Sequence, residues 1–530
     1  MKKTNPEVVK NYAGSLAFSM EAKHALAQMA VTGCFNNTYY SSAKDQLDSV
    51  LTLVRQTDPE FVGKLAIYSR VSAFMKDMPA ALVAWLSSES PQTFKVVFPR
   101  VITNGKMLRN FVQMIRSGSF GRHNVSASVI RRAIQGWFDS KTDEQIFFQS
   151  VGSNPSLGDV LKLARVKPRT RHRSALFAYF LGKETCKFEG VSYGVKSNLP
   201  PIVSNYENYL KGSNTDLPKA PFEMLTGLSL SSQQWMQVAK VSTWTQLFKS
   251  LNTFNRHGVF NDPALTSSLA GKLSNPEVIS EAQVFPYQLM SAIKATSPGE
   301  ISGLPPEMSL ALDSALETSL ANVPSFEGKN VVICPDVSGS MSSSCTGVRK
   351  GSTSVVRAID VAALVSAALL KKNPHNTVVL PFEGSVVNLK VSPNDSLVET
   401  TRKLASIGGG STNCAAPIQL LNKSEAKVDV LIFISDYEAN AAFSMEPDPF
   451  SRVLPRSTLM SQEWATLKSK NPGAKLVCID VTPHGTLQVE DNPDVLHIGG
   501  FSDSVFQTME RFVSKGDKVK WVDLIEQIKL

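Results

Sequence analysis

A chain of 530 residues, 42% hydrophobic and 19% charged, holds enough apolar side chain for two or more buried cores and too little charge to stay disordered. No run reaches the roughly 18 uninterrupted apolar residues of a membrane span, and no apolar stretch follows the basic start MKKTNPEVVK, so neither a membrane span nor a signal peptide is expected and the cytoplasm is the expected place. The formal charge is +9, but fifteen Lys or Arg face four Asp or Glu between Lys95 and Arg173, a local +11 that leaves the remainder at −2. A regional cation excess of this kind points to a polyanionic partner, with a solvated helix face as the plainer alternative.

The first part of the chain is written in short helical patterns. In TDPEFVGKLAIYSR, Asp58 stands where an N-cap belongs and Pro59 at the first helical position, while Phe61, Leu65, Tyr68 and Val71 recur at helical spacing. DMPAALVAWL, SNPEVISEAQ and LPPEMSLALDSALETSL open similarly, and no convincing hairpin signal interrupts them. Residues 1–325 are expected to form an all-α array of successive helices, an irregular solenoid without a strict sequence period.

From about Phe326 the texture alternates. NVVICPD reads as a strand, SVVRAIDVAALVSAALLKK as a helix, TVVLPFEGSVVNLKV as two strands around Glu383-Gly384, and LVETTRKLASIG as a helix. VDVLIFISD, TLMSQEWATLKSK, AKLVCIDV, DVLHIGG and SVFQTMERFV continue the pattern. Residues 326–530 are therefore expected to be an α/β doubly wound, Rossmann-like domain, its mostly parallel sheet covered on both faces. In such a sheet, ligands sit at the carboxyl ends of the strands.

That edge receives the stretch DVSGS. Asp336, Ser338 and Ser340 fall in the loop leaving the first of these strands, where alternate side chains can converge on one point. GGGSTNCAAP offers Thr412 before a helix, and VDVLIFISDYEAN ends its strand with Asp436. Few charges with several neutral oxygens suit Mg²⁺ or another hard divalent cation, so these five donors are expected to make an incomplete octahedral site.

DVSGSM, followed by a later Thr and a later strand-end Asp, resembles the metal-ion-dependent adhesion site (MIDAS) of von Willebrand factor A (vWA) domains. That resemblance implies direct ligation by Asp336, Ser338 and Ser340, direct or water-mediated binding by Thr412, and water-mediated action by Asp436, with a sixth position open to a partner carboxylate or a water. The whole chain is similar to the TROVE family of Ro proteins. NNTYY, KLAIYSR followed by MPAAL, GSFGR leading to IRRAIQGWF, DVLKLARVKP, VFPYQLMSAI, DVSGSM, STNCAAP and ISDYEAN keep that family's order.

The resemblance implies an RNA-binding protein and not an enzyme: a HEAT-like helical-repeat ring joined to a vWA domain, a monomer. Its expected partners are small noncoding Y-like RNA and the single-stranded 3′ ends of misfolded or damaged RNA, in RNA quality control or degradation beside an exoribonuclease, with no membrane partner. The +11 segment coincides with the family's RNA-contacting region. Arg122, Arg131 and Arg132 belong to one cationic group there, and Lys162, Arg165, Lys167, Arg169, Arg171 and Arg173 to a second. Cations at these positions would neutralise phosphates and give salt-sensitive, weakly sequence-selective binding. Arg165 stands where relatives commonly carry His before x-Lys-Pro, and Asn413 where they often carry Asp.

Other chemistries are weighed against this. A haloacid-dehalogenase-type phosphohydrolase would want a second acid where Ser338 stands. A metal-dependent adhesion scaffold acting through the A domain without RNA is the alternative function. The six cysteines show no C-x-x-C spacing and are expected to be reduced. Tyr39, Tyr40, Phe120 and Trp137 could stack on bases, but are taken as core.

Overall fold

The computed structural model describes residues 7–32, 42–121, 124–213, 216–282, 289, 303–319, 323–345, 356–440, 457–500, 503–514 and 520–530. Its first part is dominated by helices: α1 (Ala22–Thr32), α2 (Ala43–Arg55), α3 (Pro59–Val71), α4 (Asp77–Glu89), α5 (Pro91–Val101), α6 (Gly105–Ser117), α7 (Ser128–Asp139), α8 (Asp143–Phe148), α9 (Leu157–Ala164) and α10 (Arg171–Phe180). After these come α11 (Pro201–Leu210), α12 (Phe222–Thr226), α13 (Ser232–Val241), α14 (Trp244–Arg256), α15 (Pro263–Ser274), α16 (Pro276–Ala282) and the helix Pro306–Ser319.

Local chemistry sets these boundaries. Asp58 caps α3 by accepting from the Glu60 and Phe61 N–H groups at 3.1 Å each, with Pro59 at the first position. Ser42, Thr142, Ser156, Ser231 and Thr243 open their helices with reciprocal capping boxes. Phe61, Leu65 and Tyr68 are buried as their spacing requires, whereas Val71, at the frayed end of α3, is 57% exposed. Helices pack mostly on the next and the next but one, α3 on α4 and α5, α4 on α6, α5 on α7 and α7 on α9, while α6 reaches α9 as well. Each layer thus covers its neighbour's apolar face, the arrangement of a helical-repeat array.

Two hairpins depart from the sequence expectation. β1 (Val8–Lys10) pairs antiparallel with β2 (Leu16–Ser19), and β3 (Thr185–Phe188) with β4 (Val191–Gly194). The second turns through Glu189 and Gly190, both at positive φ, the backbone a two-residue hairpin needs. Glu-Gly lacks the side chain that makes Asn-Gly or Asp-Gly a ready signal, so the turn is hidden in the sequence.

The second part holds a five-stranded sheet, all parallel, in the order β10–β8–β7–β5–β6: β5 (Val331–Pro335), β6 (Thr377–Val379), β7 (Val430–Ser435), β8 (Lys475–Asp480) and β10 (Val495–Gly499). Alternation along its strands builds two cores. Val331, Ile333, Ile432 and Ile498 join the core that runs continuously into the helical array, while Val332, Cys334, Leu431 and Phe433 face a separate one. The expected strand after Glu383-Gly384 is reduced to an isolated bridge between Phe382 and Val386, with the Val387 N–H donating to the Pro381 carbonyl at 2.7 Å, and residues 387–396 form no strand.

The two parts are sewn together at both ends of the chain. β2 pairs with β9 (Thr486–Leu487), and α1 packs on β10 where Gly499 faces Gln28; a methyl there would meet the Gln28 Cα at 3.0 Å. The helix Trp521–Glu526 returns to α3, where the fully buried Trp521 donates its indole N–H to the Tyr68 hydroxyl at 3.1 Å. Glu526 pairs there with Lys23 and Lys64. Among the described residues no helix is long and apolar enough to cross a membrane.

Candidate metal centre and nucleic-acid interface

The chain leaves β5 toward β6 on one side and returns to β7 on the other, so the loops after β5 and β7 diverge at the carboxyl edge and leave a crevice. Asp336 sits there, 0% exposed, and Ser338, Ser340, Thr412 and Asp436 are all buried as well. Ser338 donates its backbone N–H to Asp336 Oδ1 at 2.8 Å, the Ser338 and Ser340 hydroxyls lie 3.2 Å apart, and Ser340 bonds to Asp436. Asp336, Ser338, Ser340 and Asp436 are thus linked at one edge, and the loop that carries Thr412 is joined to them where the Gly339 N–H donates to the Gly410 carbonyl at 3.0 Å. The turn that brings Thr412 in is a glycine requirement: Gly408 and Gly409 hold positive φ, and a Cβ at Gly410 would collide with the Glu383 carboxylate.

Several supporting residues were not legible in the sequence. Ser435 donates to Asp336 Oδ2 at 2.6 Å and accepts from the Tyr437 N–H at 2.9 Å. Asn440 braces the second loop by accepting from the Thr412 N–H at 2.6 Å while its own N–H returns to the Thr412 carbonyl at 3.0 Å. Asn413 stays outside the donor cluster, its side chain accepting from the Ala415 N–H at 3.1 Å. The serine before Asp436 was the available signal, but Ser in a buried strand reads equally as filler.

Electrostatics decide whether a cation fits. Burial, and then the neighbouring Asp436, push Asp336 up to about 7, and burial raises Asp436 as well. Burial followed by Asp436 also lifts Glu438 to about 7 and raises Asp480 at the end of β8. Among the described residues no lysine or arginine pairs with Asp336 or Asp436, so two buried carboxylates stand uncompensated. Two carboxylates and three hydroxyls form an all-oxygen donor set that fits a hard divalent cation.

The cationic positions separate into distinct roles. Arg131 and Arg132 are exposed on α7, and Gln135 one turn on clamps the Lys167 backbone through bonds of 2.8 and 3.0 Å, setting the two groups side by side. Lys162 and Arg165 are exposed and share a polar cleft with Arg116. Arg169 is exposed but held by Asp139 at 2.9 Å, and Arg171 lies over the Tyr193 ring at 4.2 Å. Arg173 is a correction to the RNA-facing set: its buried guanidinium donates to Asp143 at 2.6 Å, to the Phe138 carbonyl at 2.9 Å and to the Lys141 carbonyl at 2.5 Å. Its charge is committed to joining α7, α8 and α10. Arg122, Tyr39 and Tyr40 lie outside the described residues, while Phe120 and Trp137 are buried as expected.

Folding also creates a cationic site that the sequence scattered. Lys76, just before α4, is repelled by Lys249 of α14, Lys106 of α6 and Arg70 of α3. Its side chain reaches water, yet surrounding protein, and then these three cations, lower its pKa. Folding therefore brings Lys249 of α14 within electrostatic range of cations at α3, α4 and α6, which lie far from it in the sequence.

Three comparisons place this architecture among known proteins. Residues 330–513 match the family described as the Ro60 vWA domain. Over a 538-residue alignment covering 95% of each chain, the sequence is 23% identical to the RNA-binding protein RO60 of Deinococcus radiodurans. The crystal structure of the Deinococcus radiodurans Ro (Rsr) protein shares the fold, with a TM-score of 0.59 at 19% identity, covering 94% of this chain and 100% of that one.

Proposed function

From its membership of the Ro family, we propose that this chain is an RNA-binding protein that captures noncoding RNA, including Y-like RNA and the single-stranded 3′ ends of misfolded or damaged RNA, for quality control or degradation. One observation carries the reading: Lys76, Lys106, Lys249 and Arg70, scattered in the sequence, are brought within electrostatic range of one another, while Arg131, Arg132, Lys162 and Arg165 stay exposed. Phosphates attracted to such groups release counterions, so binding falls as salt rises. The chain's part is capture as a monomer; cleavage belongs to a partner exoribonuclease.

Asp336, Ser338, Ser340, Thr412 and Asp436 would hold a divalent cation, Mg²⁺ by donor chemistry, which when bound supplies a seat for a carboxylate or a water. Because this crevice lies at the sheet edge and the clustered cations in the helical array, the two bind independently.

The test is affinity for a structured RNA with and without a single-stranded 3′ extension, measured across a range of salt. Tighter binding of the extended RNA, with a steep inverse dependence on salt, is expected. Equal and salt-indifferent binding of both would overturn the proposal.

A further inference from the structure

Between α5 and α7 lies a cleft whose cations, apart from Arg132, have not entered the groups described so far. Phe98, Pro99, Ile102 and Ala133 give it an apolar lining, and Lys95, Arg132 and Lys141 stand around it. Among the described residues none of these three cations has a carboxylate partner. Lys141 is the most constrained of them. Its ammonium rests 4.9 Å from the centre of the Trp137 ring and is partly desolvated by the surrounding protein, which lowers its pKa. An apolar recess ringed by unpaired cations is complementary to a ligand with a flat, weakly polar body and anionic flanks.

Two further features fit such a ligand. Gly136 lies on the exposed side of α7 within the cleft, and a Cβ there would meet nothing within 4 Å. A glycine inside a helix is disfavoured, and here its lack of a side chain leaves the recess open. Trp137, buried in the lining, has an indole N–H with no acceptor among the described residues.

We propose that this cleft seats one unpaired nucleobase of a bound single strand, with the flanking phosphates on Lys95, Arg132 and Lys141. The base occupies the apolar recess over Gly136, and its acceptor edge takes the Trp137 N–H once Lys141 swings from the indole toward phosphate. The inference rests on the RNA-binding reading and adds to it a site that recognises the base and not only the backbone.

The experiment uses the full chain and two fluorescent probes of equal length, a short oligouridylate and a spacer oligomer that keeps the phosphates but lacks bases. Wild type should prefer the oligouridylate. Gly136→Met, which fills the recess and leaves every charge, should weaken oligouridylate binding by about tenfold, the scale of one base contact, and leave the spacer oligomer unchanged. Ala133→Met fills the same recess from one turn earlier and serves if the first variant folds poorly, as judged by its melting temperature. Lys141→Gln should weaken both probes. Unchanged oligouridylate affinity in both filled variants, or an equal loss for both probes, overturns the base seat while leaving RNA binding intact. If wild type binds neither probe, the RNA reading itself fails and the base seat fails with it.

Discussion

The Glu438 carboxylate, two residues beyond Asp436, accepts the backbone N–H of Ala13 at 3.1 Å. Next to it the Asn11 side chain donates to the Ala439 carbonyl at 2.9 Å, so the loop that presents Asp436 is tied to the hairpin β1–β2 at the other end of the chain. Glu438 is 0% exposed. Glu438→Ala should strand the Ala13 N–H and lower stability by about 1–3 kcal/mol, read as a fall in the denaturant midpoint. Glu438→Gln, which keeps an acceptor, should recover most of it.

The uncompensated pair Asp336 and Asp436 predicts that Mg²⁺ stabilises the wild type. Binding to the folded state alone gives about 2.7 kcal/mol at a hundredfold excess over Kd, seen as a rise in melting temperature that EDTA reverses. Asp336→Ala should abolish that rise and leave RNA affinity as it was. A mutant with normal metal uptake by calorimetry would refute the assignment.

Arg173 and its neighbours should behave oppositely. Arg173→Ala leaves Asp143 and two carbonyls without their donor, and because Asp143 is 24% exposed the loss should be about 2–3 kcal/mol, at or below the lower end for a buried pair. Replacing Arg131, Arg132, Lys162 or Arg165 with Gln should spare stability and flatten the plot of log affinity against log salt by about 0.7–0.9 for each lost phosphate contact.

Lys76→Gln removes one member of a like-charged group. Melting temperature should hold or rise slightly, since repulsion is relieved, while affinity for a single-stranded 3′ extension should drop several-fold and affinity for a blunt duplex should not. Equal loss for both RNAs would place Lys76 outside the strand's path.

The seam between α1 and β10 carries a pH dependence. His24 lies 3.2 Å from the His497 carbonyl; burial lowers the pKa of both imidazoles, that of His497 to about 4. The folded state thus binds protons less readily than the unfolded chain, where His titrates near 6.5. The contribution is present above that value and is lost as pH falls toward about 4, reaching for His497 on the order of 3 kcal/mol at about 1.4 per unit. His497→Gln should flatten stability against pH across this window in denaturant titrations.

Local and periodic features of the fold were written in the sequence. The cap at Asp58, the burial of Phe61, Leu65 and Tyr68, the alternating faces of β5 and β7, and the five oxygen donors each depend on residues close along the chain or on loops whose place follows from a parallel sheet. The hairpin through Glu189-Gly190 was not visible, because its turn depends on backbone angles that glutamate does not advertise.

Tertiary structure alone decided how the charge is used. Arg169, Arg171 and Arg173 look alike in RTRHR, yet one pairs with Asp139, one lies on Tyr193 and one is sealed among α7, α8 and α10. Lys76 and Lys249 sit in no common motif, and only folding brings their ammonium groups into mutual repulsion. A sequence fixes how many charges a chain carries and how they are spaced; whether each meets water, a carboxylate or another cation depends on contacts between residues far apart in the chain, and those exist only once it has folded.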